Sequence, residues 1–390
     1  MSRHMNKDGI ICDGSIRSGK TVSMTIGFIL WSMTMYDHQS FAICGRTIEA
    51  LRRNVIVHVP VWLEGIFEVE ERRSENKLIV SYGGKVNTYY LFGGKDERSY
   101  TLIQGITLAG VLFDEVALMP RSFVEQAMAR CSVSGSKFWF NCNPESPNHW
   151  FYVEWISQAL KRNMLYLHFT MEDNLSLDEQ IKRRYEGMYS GVFYDRYIRG
   201  LWVVAEGLIY TMFNKDFHVV ESVPRRYEQY VMSCDYGTLN PTSIGLWGLV
   251  KGKWYRIREY YYDGRALQHQ RTDEEHYKAM EELAGDLQIR KVVVDPSAAS
   301  FIETIRRHGR FYVEHASNRV LDGIRDVATH LHQGDFFICD TCEDCIREFG
   351  LYRWDEKAVE DRPLKTDDHT MDDVRYFVRA VFGPQKFSFD

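Results

Sequence analysis

Eight residues near the start of the chain, Gly14-Ser15-Ile16-Arg17-Ser18-Gly19-Lys20-Thr21, constrain its architecture more than any other stretch. They follow the pattern G-x-x-x-x-G-K-[ST]. Its glycines let backbone N–H groups converge on phosphate oxygens where a strand gives way to a helix. The flanks agree: residues 10–13 form a short apolar run that predicts a strand, and residues 20–31 are helical in pattern.

A loop of this kind belongs in an α/β domain, and the following residues keep that alternation. Strands are expected at 41–44, 110–113 and 137–141, with a hairpin of 77–81 and 85–92 around Gly83-Gly84 and helices from Thr47 and Pro120. Residues 176–197 are helical and polar. The chain's 390 residues allow two cores, and the expected division is a P-loop ATPase domain of RecA/ASCE-like type over 1–200, a linker over 201–225 and a second α/β domain over 226–390. That second part opens with strands at 230–235, 242–250 and 253–262. A helix at 273–284, a strand at 291–295 and a last helix from about Met371 follow.

Lys20 is expected to reach the β- and γ-phosphates of ATP and the Thr21 hydroxyl to ligate Mg²⁺. The apolar strand ending in Asp114-Glu115 supplies the two acids such a site needs, Asp114 on the metal and Glu115 on the attacking water. Arg17 either stabilises γ-phosphate charge in cis or hydrogen-bonds a neighbouring strand. Arg98 and Arg130 are weaker candidates for a finger given to an adjacent subunit. Asn143 is placed to sense the γ-phosphate or simply to turn the chain before Pro144.

In the second half, Asp235 ends one strand, Asp295 ends a later one and Asp372 opens the last helix. Carboxylates converging from separate elements suit two Mg²⁺ or Mn²⁺ ions flanking a scissile phosphate, in an RNase H-like nuclease. His369 stands three residues before Asp372, to bind metal, shuttle a proton or cap the helix, and Asp368 and Asp373 leave the third ligand open.

A formal charge of −6 argues against DNA binding by bulk positive charge and leaves local basic clusters. The apolar run 24–35 is too short and broken to span a bilayer, and no secretion signal precedes it. Of the eight cysteines, Cys12, Cys44, Cys142 and Cys234 lie in apolar segments and read as small buried thiols, while Cys339-x2-Cys342-x2-Cys345 lacks a second ligand pair for zinc and reads as three packed or exposed thiols.

Taken in order, the glycine loop, Leu112-Phe113-Asp114-Glu115, the run from Asn141-Cys142-Asn143-Pro144 to Trp150, Asp235-Tyr236-Gly237 with Asn240-Pro241-Thr242, Val294-Asp295 and the stretch from Asp368 to Tyr376 resemble the large terminase subunits of tailed double-stranded-DNA bacteriophages and prophages. The resemblance covers almost the whole chain. It implies an ATP-driven motor that threads double-stranded DNA into a procapsid through its portal protein, with a small terminase subunit as partner. It also implies a metal-dependent endonuclease that cuts concatemers. By position it assigns Lys20, Thr21, Asp114 and Glu115 to ATP hydrolysis, Asn143 to coupling, and Asp235, Asp295 and Asp372 to the nuclease metals. It further implies a monomer in solution that forms a ring on the portal, in the host bacterial cytoplasm with no membrane. A helicase-nuclease of DNA repair would need a second nucleotide-binding core, where the residues after 226 offer a β-meander. A DNA-binding subunit with a silent ATPase would not need Lys20, Thr21, Asp114 and Glu115 intact.

Overall fold

The run ahead of the glycine loop is a strand, β1 (Gly9–Gly14), and the loop ends where α1 (Lys20–Met35) begins. The structure is a computed structural model describing residues 6–222, 226–238, 240–358 and 360–383. The chain divides into two units. One takes the described residues up to Arg184 with Tyr194–Val204, and the other takes Tyr185–Phe193 with the described residues from Ala205 onward.

The first unit is built on β1, β2 (Ser40–Gly45), β3 (Glu68–Arg72), β4 (Lys77–Tyr82), β5 (Lys85–Gly93), β6 (Gly110–Asp114), β7 (Lys137–Asn141) and β8 (Met164–Phe169). Their order is β3-β4-β5-β2-β6-β7-β1-β8. The ladders from β5 through β8 are all parallel, and only the β3–β4 and β4–β5 pairs are antiparallel. Parallel strands buried on both faces need apolar residues throughout. Accordingly β6 is buried at every position. Because β1 and β6 both flank β7, the glycine loop and Asp114 leave the sheet at the same edge, the carboxyl end where α/β folds place ligands.

Phe28 and Trp31 of α1 pack on Phe41, Tyr89 and Trp139 of the sheet, with Phe41 stacked on Tyr89 at 5.2 Å. The helices α2 (Ile48–Asn54), α3 (Val59–Trp62) and α4 (Arg121–Ala129) follow. Thr47 caps α2, its Oγ1 accepting from the Ala50 N–H at 3.1 Å. The single helical pattern expected over 176–197 is broken into α5 (Glu179–Glu186) and α6 (Gly191–Tyr197), and Gly191 has φ of 55°.

The second unit carries β9 (Val219–Val220), β10 (Gln229–Asp235), β11 (Thr242–Val250), β12 (Lys253–Tyr262), β13 (Ile289–Val294), β14 (Val313–His315) and β15 (Phe336–Cys339), in the order β14-β13-β10-β11-β12-β15-β9. Its helices are α7 (Lys215–His218), α8 (Asp273–Ala284), α9 (Ala299–His308), α10 (Val320–His332), α11 (Glu343–Phe349) and α12 (His369–Val381). The β11–β12 hairpin turns at Lys251-Gly252, both at positive φ as a tight turn of this hand requires. A capping box of Thr272 and Glu275 starts α8. Strands β10 and β13 run parallel, and β13 carries one extra residue. Tyr230 faces Ile289, Met232 faces Val292, and the ladder ends with Cys234 opposite Val294.

The linker expected over 201–225 differs from what forms. Residues 205–222 belong to the second unit, where β9 pairs with β15 and the Ile209 N–H donates to the Tyr352 carbonyl at 2.9 Å. Residues 223–225 lie outside the described residues. Cys339, Cys342 and Cys345 are all buried thiols. Among the described residues no helix is long and apolar enough to cross a membrane.

Candidate active sites

The glycine loop is held from both sides. Gly14 has φ of 132°, and a Cβ there would come within 1.8 Å of the Phe169 carbonyl oxygen on β8, so only glycine fits. Gly19 caps α1 at φ 85°. The Ser15 N–H donates to Phe169 O at 2.9 Å and the Ile16 N–H to Tyr197 O at 2.8 Å. Arg17 sits at φ 56°, and its carbonyl accepts from Asn174 Nδ2 at 2.7 Å. Beneath the loop Asp13 is fully buried and accepts from Tyr166 Oη at 2.9 Å and Trp202 Nε1 at 2.6 Å, with His168 Nδ1 at 2.8 Å. Three partners make that burial tolerable.

Lys20 is 6% exposed, and its Nζ donates to Gly14 O at 3.1 Å, Ser15 O at 2.6 Å and Asn143 Oδ1 at 3.0 Å. Burial lowers its pKa, although nearby acids oppose that. The Thr21 hydroxyl donates to Asp114 Oδ1 at 3.1 Å. Asn141 Nδ2 bridges the pair, 2.7 Å from Asp114 Oδ1 and 2.9 Å from Thr21 Oγ1. Burial, with Glu115 alongside, pushes Asp114 up to about 6. Glu115 is left-handed at φ 59°, ψ 50°, an uncommon conformation for a non-glycine residue, and burial raises its pKa too. Lys20, Thr21, Asp114, Glu115 and Asn143 line one cavity of about 490 Å³. A hydroxyl and a carboxylate meeting there are the hard oxygen donors that Mg²⁺ takes.

In the second unit Asp235 closes β10, and His369 begins α12 with its Nδ1 2.9 Å from Asp235 Oδ2. His369 and Asp372 are three apart on α12 and share its face. The helix start is satisfied by buried Glu348, whose Oε2 accepts from the Thr370 N–H and Oγ1, each at 2.7 Å. Lys365 Nζ stands 3.2 Å from Asp368 Oδ2 and 3.4 Å from Asp372 Oδ2. Asp372 Oδ1 also accepts from Arg375 Nη2 at 2.9 Å. Burial, with the Asp372 charge adding to it, raises Asp235 to about 7 against the His369 hydrogen bond. Burial pulls His369 down, but its bond and charge interaction with Asp235 outweigh that and raise it. Asp235, Lys365, Asp368, His369 and Asp372 line one cavity of about 510 Å³.

Asp295 directly follows β13, one step past the last ladder pair of Cys234 and Val294, yet it is not among the residues lining that cavity. Its carboxylate accepts from Tyr376 Oη at 2.7 Å and from the Ser297 N–H at 2.7 Å, which overcome burial and lower its pKa. Asp373 turns away into the core, paired with fully buried Arg256. The carboxylates on the cavity fit Mg²⁺ or Mn²⁺ in donor chemistry. Among the described residues, however, no three His, Cys, Asp or Glu side chains already stand as a metal cage.

The family described as terminase large subunit, T4likevirus-type, N-terminal, matches residues 11–216. The chain belongs to the large terminase subunits. It is 54% identical to the solved large terminase of a thermophilic bacteriophage, over 97% of this chain and 95% of that one, with a TM-score of 0.90. The same phage protein solved in complex with ADP gives 53% identity over the same shares and a TM-score of 0.87. The large terminase subunit of Escherichia phage T5 is 22% identical over 289 residues, 70% of this chain and 65% of that protein. The match thus spans just under two thirds of the T5 relative.

In this large terminase subunit the residues singled out from sequence gather into two clefts. Loop residues 16–21 line one with Asp114, Glu115 and Asn143, Gly14 and Ser15 not being among its lining residues, and Asp235, His369 and Asp372 share the other. Asp368 lines that cleft, and Asp373 does not. Sequence reasoning missed Asn141, Asp13, Lys365, Glu348 and the Tyr376 hydroxyl. Asn141 ends a strand next to the acidic one, a position that signals proximity to Asp114. Asp13 carries no local signal, since its partners lie up to 189 residues away.

Proposed function

We propose that this large terminase subunit hydrolyses ATP to drive double-stranded DNA into a procapsid and cuts concatemeric DNA at a second site. The observation that carries the first part is the shared cleft of Lys20, Thr21, Asp114, Glu115 and Asn143 at the carboxyl edge of a parallel sheet. The ADP complex of the thermophilic-phage protein supports it. Lys20 would pair with the β- and γ-phosphates, and Arg17, inside the loop, would stabilise γ-phosphate charge in cis. Thr21 and Asp114 would hold Mg²⁺, with Asn141 fixing both side chains. Glu115 would orient the attacking water and take its proton, a task its raised proton affinity suits. Asn143, already bonded to Lys20, would report the phosphate state.

At the second cleft Asp235 and Asp372, with Asp295 or Asp368, would hold Mg²⁺ or Mn²⁺. Bound divalent ions supply Lewis-acid polarisation of a phosphate and lower the pKa of water. His369 would hold a proton beside Asp235, and Lys365 would meet DNA phosphate charge. The partners in this reading are double-stranded DNA, a small terminase subunit and the portal protein, with a monomer assembling into a ring on the procapsid in the host bacterial cytoplasm. A repair helicase-nuclease is less well supported, because residues 229–262 form a β-meander rather than a second nucleotide-binding core.

Lys20→Ala is expected to cut DNA-stimulated phosphate release by about 100-fold or more while sparing metal-dependent plasmid cleavage. Asp235→Asn should do the reverse. Loss of both activities in either variant would refute two separate sites.

A further inference from the structure

The cleft at the glycine loop has a wall that phosphate chemistry does not use. Asn54 ends α2, His58 follows in a short 3₁₀ turn and Trp62 ends α3, and all three line the cavity that holds Lys20 and Glu115. They come from three consecutive short elements that the chain turns toward the same cavity. The His58 and Trp62 rings stack with centroids 5.6 Å apart and planes at 24°. Trp62 is half-buried against the core of the first unit, so its ring is braced from behind. Asn54 accepts from Arg53 Nε at 3.3 Å through its Oδ1, and its Nδ2 is the group it can turn to a ligand. Val22, from the first turn of α1, adds an apolar contact to the same cavity.

Phosphates call for Lys20 and loop amides, and water calls for Glu115. A stacked aromatic pair beside a carboxamide suits neither, but it suits a nucleobase, which offers a π face and edge hydrogen-bonding groups. We infer that Asn54, His58 and Trp62 form the wall that recognises the base of the bound nucleotide, Trp62 with His58 by stacking and Asn54 at the base edge. The inference rests on the glycine loop being a nucleotide site.

Calorimetry on the full chain separates the two claims by comparing ADP with inorganic tripolyphosphate, which has no base. Trp62→Ala is expected to weaken ADP binding roughly 10-fold and leave tripolyphosphate unchanged, with Trp62→Phe recovering most of the loss. His58→Ala should shift ADP in the same direction by less. Unchanged ADP affinity in Trp62→Ala would overturn the base wall, and so would equal losses for both ligands in Trp62→Ala and His58→Ala. Lys20→Ala reports on the loop alone: it should weaken both ligands, and no effect on either would overturn the nucleotide reading itself.

Discussion

Replacing Asp373 by asparagine tests how the second cleft is held. Asp373 and Arg256 both have 0% side-chain exposure, and the guanidinium grips the carboxylate with Nη1–Oδ1 at 2.5 Å and Nη2–Oδ2 at 2.9 Å. Ser233 Oγ donates to the same carboxylate at 2.9 Å, Ser243 Oγ donates as well, and Gly245 leaves room for the guanidinium. Asparagine keeps the shape and removes the charge, so Arg256 loses its two-pronged partner and keeps only the Glu259 carboxylate, 3.4 Å from its Nε. Breaking a buried pair on one side costs about 3–5 kcal/mol, a large share of the roughly 5–15 kcal/mol that holds a domain together. Amide hydrogen exchange over β10–β12 in the full chain reads this directly. Protection should fall by about 10²–10³-fold at least, together with loss of DNA cleavage, because Asp372 is the neighbouring residue on α12. The double variant Arg256→Met with Asp373→Leu should restore at least half of the lost protection, since the guanidinium goes with its partner and Glu259 keeps the Asp344 and Cys345 N–H donors. A loss under about 1 kcal/mol in Asp373→Asn, or a double variant as weak as the single, would refute the reasoning.

Acid should weaken the second unit through His276. It is 1% exposed with Nδ1 3.0 Å from Tyr260 Oη, and burial lowers its pKa from 6.5 to about 4. The unfolded chain therefore takes the proton first, and stability present above pH 6.5 is lost as pH falls toward 4, by up to about 3 kcal/mol. The melting temperature from pH 7 to 4.5 should drop less steeply in His276→Phe, and parallel curves would count against this. Asn141→Ala should slow ATP turnover about 10-fold in a phosphate-release assay, because Thr21 and Asp114 lose their bridge. Turnover equal to the parent would make Asn141 a bystander.

Legibility in the sequence followed local pattern. Strands β11 and β12 and helix α8 fall at their expected bounds, since a tight Lys251-Gly252 turn and the Thr272 capping box mark them within a few residues. Strand β3 is fully or partly exposed along its length and β9 has only two residues, so neither carries an apolar signature. The glycine loop was legible because its chemistry is contiguous. Tyr376 was not, because its partner is set by how α12 meets the sheet, and Lys365, three and seven residues from Asp368 and Asp372, stands in an irregular segment whose periodicity gives no direction. Asp295 shows the same limit: sequence put it at the end of the correct strand, and only the fold reveals the Tyr376 hydroxyl on its carboxylate.

The extra residue in β13 sets a gauge for the chemistry above it. Carried on from Tyr230 opposite Ile289 without that offset, the ladder would put Val294 level with Asp235 and leave Asp295 one step beyond. Deleting Arg290 or Lys291 would only remove the extra residue and keep Asp295 on its rung, whereas a one-residue slip of the intact strand would exchange an acid for a hydrocarbon there while every side chain named in either cleft stayed in the chain.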